Sequence, residues 1–182
     1  MKKLFIGTVL AAACLLAFVG SHTTRARAAI GATSTTLTAT LSGFQEPPAI
    51  ASSASGSFSA VVSDDGSSAD YVLSYSGFQT DARVAHIHLG LPGVNGGVTV
   101  FLCGGGGKPD CPAREGTVTA TFTADDVGPI PTQRLLANDL PTLLAAINAG
   151  STYVNVHSVD LPGGEIRGQI SVMPSGGSNN SR

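Results

Sequence analysis

The sequence predicts an all-β fold, a Greek-key β-sandwich or barrel with one short crossover helix. Apolar and polar residues alternate with period 2 over much of the chain, as half-buried strands require. Gly, Pro and Asp-Gly turn signals break that alternation at short intervals, and one stretch alone reads as a helix.

The first element is a leader. Met1, Lys2 and Lys3 precede an apolar run from Leu4 to Gly20, and Ala26-Arg27-Ala28 supplies an A-x-A cleavage pattern. This layout is that of a secretory signal peptide, residues 1–28, cut after Ala28. The run is marginal for a membrane span, which needs roughly 20 apolar residues. Cys14 follows three alanines, but the apolar run continues past it and no Leu stands three residues before it, which argues against a lipoprotein signal. The mature chain is expected to be soluble, secreted or periplasmic, and free of the membrane. Cleavage removes four cations and no acid, taking the formal charge from −2 to −6. Such a chain, without basic clusters, is a poor partner for nucleic acid or an anionic membrane.

The strands follow in order. Leu37–Leu41 alternates Leu, Thr, Ala, Thr, Leu. Gly56–Ser63 and Asp70–Ser76 flank Asp64-Asp65-Gly66 and read as a hairpin. Val84–Leu89, Val98–Leu102 and Gly116–Thr123 are further short strands, and Thr152–Ser158 and Glu165–Val172 close the set around Leu161-Pro162-Gly163-Gly164. Between them, Asp139-Leu140-Pro141 followed by Leu143 to Ile147 and Gly150 reads as a capped helix crossing the barrel end. Residues 29–173 form one domain, and the Ser, Gly and Asn tail at 174–182 has no core residue and is expected to be disordered.

Cys103 and Cys111 are the two cysteines left after cleavage, flanking Gly104 to Asp110. In an exported chain they read as a disulfide, with two free thiols as the alternative.

Histidine placement carries the chemistry. His86 and His88 project from one strand face, with Ala85, Ile87 and Leu89 on the other. His157 shares the polar face of its strand with Tyr153 and Asn155, opposite Val154 and Val156. Adjacent strands would bring three neutral imidazoles onto one metal ion, leaving a position open for water or substrate. Copper is the first expectation, with zinc as the alternative. Asn155, Asp160 and Glu165 are nearby in sequence as acceptors to fix the ring tautomers. The competing reading is three ordinary surface histidines. Arg167 shares a face with Glu165 and Gln169, either solvated or guiding an anion to the metal. Glu46, before Pro47-Pro48, is left between a backbone cap and a binding role. No nucleophile elbow, phosphate loop or C-x-x-C pair is present.

Leu41-Ser42-Gly43-Phe44-Gln45-Glu46-Pro47-Pro48 resembles the opening motif of CHRD (chordin-repeat) domains. Ala85 to Gly90, Gly96-Gly97-Val98 and Phe101-Leu102-Cys103 resemble their central block. Tyr153 to His157 and Pro162 to Gln169 resemble their closing block. The resemblance implies an extracellular β domain of the kind found singly in bacterial exported proteins. A weaker resemblance is to copper–zinc superoxide dismutase, whose His-x-His pair, later His and C-terminal Arg correspond in order to His86, His88, His157 and Arg167. The bridging histidine and the zinc loop are missing, so that resemblance implies a copper site without zinc and without a dismutase.

The sequence therefore points to an exported metal-binding domain, its partner a metal ion or small oxidant. The alternatives are a metal-free adhesion or matrix module and a superoxide dismutase-like copper oxidoreductase. It names no protein partner and no catalytic group beyond Arg167.

Overall fold

Alternating sequence becomes strand here because each apolar face finds a core. β1 (Thr35–Ser42) buries Leu37, Ala39 and Leu41, β2 (Ser55–Val62) buries Phe58, Ala60 and Val62, and β3 (Ser68–Ser76) buries Tyr71, Leu73 and Tyr75. β4 (Ala82–Leu89), β5 (Gly97–Cys103), β6 (Gly116–Thr123), β7 (Thr152–Ser158), β8 (Ile166–Gln169) and β9 (Ser171–Met173) complete the set. The computed structural model describes residues 34–173, so the predicted leader and the tail at 174–182 lie outside them. Among the described residues no helix is long and apolar enough to cross a membrane.

The strands join in the order β5-β4-β7-β8-β1-β2-β3-β6, every pair antiparallel, with β9 also against β1. The result is an all-β, nearly closed barrel-like sheet. The predicted hairpin is β2–β3, in register from Ser55↔Ser76 to Val62↔Ala69. Its turn closes through Ser63 N to Ser68 O at 2.9 Å, with Gly66 at φ +70°. Glu165–Val172, expected as one strand, is two. Ile170 turns its side chain into the core and its amide to Thr152 O at 2.9 Å, separating β8 from β9.

One helix, α1 (Leu140–Asn148), crosses between β6 and β7, strands that are far apart in the sheet. Asp139 caps it by accepting from Thr142 N at 3.1 Å. Leu140, Leu143 and Ile147 share the face buried against the core, the spacing an amphipathic helix needs.

The β4-β7-β8 block is buried on both faces. Ala85, Ile87, Val154, Val156 and Ile166 line the core, while His86, His88, Tyr153, Asn155 and Arg167 face the other way and are also buried. The opposite face is therefore not the solvated one its polar residues predicted. Two loops reach over it. Residues 43–50 bring Glu46 onto Asn155, and residues 90–96 set Leu91 O on Arg167 and Gly96 O on His88.

Candidate metal centre

Strand register assembles the site. β4 and β7 pair His86 with Asn155, His88 with Tyr153 and Val84 with His157, and β8 adds Arg167 beside Asn155. Paired residues share a face, so one surface carries all six polar and aromatic groups. One donor atom from each of His86, His88 and His157 lies within 4.8 Å of the other two. The adjacency that three histidines in two separated segments required is thus present.

Hydrogen bonds select the donor nitrogens. A carbonyl only accepts, so His157 Nδ1, 2.9 Å from Pro162 O, carries the proton and leaves Nε2 as a lone pair. His88 Nδ1 is bound in the same way to Gly96 O at 3.0 Å, leaving Nε2 buried and without a partner. His86 Nδ1 lies 3.2 Å from His157 Nε2 and so donates to it in the metal-free molecule. If His86 were to offer Nδ1 to an ion, its proton would have to sit on Nε2 instead. Backbone carbonyls fix the His88 and His157 tautomers and His157 fixes that of His86, not Asn155, Asp160 or Glu165 as the sequence suggested. Glu165 is engaged elsewhere, accepting from Ser52 Oγ at 2.6 Å.

The rings are held from the sides. Phe101 meets His86 edge-on at 4.6 Å between centroids. Tyr153 stacks on His88 at 4.7 Å with 6° between planes, and the Arg167 guanidinium covers its other face at 3.3 Å. Arg167 is therefore buried, 1% exposed, with Nη2 donating to Leu91 O at 2.9 Å. The solvated strand face weighed for it does not exist. Glu46 caps no backbone amide through its side chain; its Oε1 accepts from Asn155 Nδ2 at 2.7 Å.

Electrostatics keeps the imidazoles neutral. Burial, then the neighbouring His157 and His88 charges, push His86 down to about 3, and burial above all pushes His88 down to about 4. Burial lowers His157 as well, against its bond to Pro162. Neutral imidazole is the metal-binding form. Burial raises the Glu46 carboxyl, offset by the Asn155 bond and the Arg167 charge.

Phe101 and the Glu46–Asn155 pair are the groups whose part in the site sequence reasoning missed. Asn155 stood on the right face by alternation, but nothing local in the sequence links it to a residue 109 positions away.

Residues 37–170 match the family model of the CHRD domain. This chain belongs to the CHRD family. No curated protein matches it. The three motif blocks of this CHRD domain converge on one place. Its opening block supplies Glu46, its central block His86, His88 and Phe101, and its closing block Tyr153, Asn155, His157 and Arg167. Cys103 and Cys111 form a disulfide closing the loop that follows β5, with Gly105 and Gly106 lying against the Phe101 ring.

Proposed function

We propose that this CHRD domain is an exported copper-binding protein in which His86, His88 and His157 hold one ion. The observation that carries the reading is three mutually close imidazole nitrogens, all within 4.8 Å. The donor set fits the ion on a second, independent count. His88 Nε2 is a buried acceptor with no partner, an arrangement that costs about 1–3 kcal/mol unless something occupies it. Three imidazole nitrogens suit Cu²⁺ or Zn²⁺, and the intrinsic order of affinities favours copper. The bound ion supplies a Lewis-acidic, redox-capable centre with room for one more ligand. The protein's own part is to hold three rings in fixed tautomers, keep them unprotonated and bury two of them, His86 against Phe101 and His88 against Tyr153. The disulfide supports an oxidising compartment, in keeping with export.

Metal analysis and electron paramagnetic resonance on Cu²⁺-loaded mature protein test the reading. One equivalent with nitrogen hyperfine structure is expected, lost in the His86→Ala, His88→Ala, His157→Ala triple variant. Identical spectra and stoichiometry in both proteins would sink it and leave a metal-free adhesion module.

A further inference from the structure

Five buried side-chain polar atoms lack a hydrogen-bond partner among the described residues, and three of them belong to this one face: His88 Nε2, Asn155 Oδ1 and Arg167 Nη1. Buried polar atoms are paired in the great majority of proteins, so a cluster of orphans signals a missing partner. The orientation of Asn155 decides what kind. A carboxylate accepts, so the atom 2.7 Å from Glu46 Oε1 is the amide Nδ2. Gly164 closes over that end at φ +127°, where a Cβ would fall 2.3 Å from Nδ2 and 2.6 Å from Glu46 Oε1. Oδ1 is therefore turned away from Glu46 and towards His88, whose Nε2 has no proton to donate to it. Arg167 has one guanidinium nitrogen tied to Leu91 O, and its Nη1 is a donor without an acceptor. These two residues are directly paired across β7 and β8, yet no hydrogen bond joins their orphan atoms.

We propose that Asn155 Oδ1 and Arg167 Nη1 form a seat for a small hydrogen-bearing ligand, water foremost, beside His88 Nε2. The ligand must accept one hydrogen from Arg167 and donate one to Asn155. Water and hydroxide do both. An anion without a proton satisfies Arg167 but faces the Asn155 oxygen lone pair to lone pair. Asn155, positioned by Glu46, thus sets the specificity of the open position. The inference rests on the copper reading, which supplies the ion that His88 Nε2 would share with this seat.

The test is azide titration of copper-loaded protein, followed by electron paramagnetic resonance, after metal stoichiometry has been measured. Failure to hold copper at that first step is failure of the metal reading, not of this one. With copper bound, Asn155→Leu is expected to bind azide about five- to tenfold more tightly than the unaltered protein, since the repelling oxygen is gone. Asn155→Asp, which keeps the shape and an acceptor, is expected to bind it no more tightly. Equal azide affinity in the unaltered protein and Asn155→Leu overturns the proposal. Should Asn155→Leu fail to fold, the unaltered copper-loaded protein still decides. Electron–nuclear double resonance should show a strongly coupled proton that disappears in D₂O, and its absence overturns the seat.

Discussion

Arg167 shows how much one buried side chain can carry. Its guanidinium lies 3.3 Å from the centre of the Tyr153 ring, which in turn stacks on His88, so a cation, a phenol and an imidazole form one column. Burial lowers the Arg167 pKa, while Tyr153 and Glu46 hold it charged. A desolvated cation–π contact is worth about 2 kcal/mol or more, and removing the cation also leaves the buried Glu46 without its opposite charge. Arg167→Leu is expected to lower unfolding free energy by at least about 2 kcal/mol in urea titrations. Arg167→Lys should restore only part of it, because an ammonium lacks the planar face that stacks. Equal stability of Arg167→Leu and the unaltered protein would show that the column contributes nothing.

At the scale of elements, the β2–β3 turn is a self-contained device. Asp65 Oδ1 accepts from Ser67 N at 3.0 Å and from the Ser67 and Ser63 hydroxyls, both at 2.7 Å. These bonds, the Ser67 hydroxyl first, draw its carboxyl from 3.8 to about 2. Because the folded value lies below the ordinary one, the ionised carboxylate contributes fully above pH 3.8, and that contribution is lost as pH falls through about 2. Stability of Asp65→Asn, followed by circular dichroism, should therefore change less between those two pH values than that of the unaltered protein. Parallel pH profiles would rule out the turn as an acid-sensitive element. The hairpin and α1 were legible in sequence because their signals are local: Asp-Gly between alternating runs, and Asp139 before a helical spacing. The break at Ile170 was not, because alternation continues through it and only the tertiary position of Thr152 O turns the chain.

For the whole molecule, the Cys103–Cys111 bridge ties β5 to the loop that leads towards β6. The two cysteines are 8 residues apart, and closing so short a loop is worth about 2.5 kcal/mol in chain entropy. Cys103→Ala, Cys111→Ala protein should lose about that much stability, read as a lower urea midpoint. A midpoint that stays in place would mean that the barrel holds this loop without the bond. The same loop covers Phe101, which braces His86, so the bridge belongs to the scaffold of the site as well as to that of the sheet.

The sequence by itself determined the all-β class, the crossover helix, the cysteine pair and which residues share a strand face. Period-2 alternation and turn chemistry are properties of neighbouring residues and need no knowledge of distant ones. The CHRD blocks were legible for the same reason, as contiguous motifs. Only the tertiary structure decided that the histidine face is buried, that carbonyls of Gly96 and Pro162 select the ring nitrogens, and that Glu46 reaches Asn155 across 109 positions. Those facts depend on loops from far along the chain closing over β4, β7 and β8. Alternation assigns a side chain to a face, but what covers that face is settled by the fold.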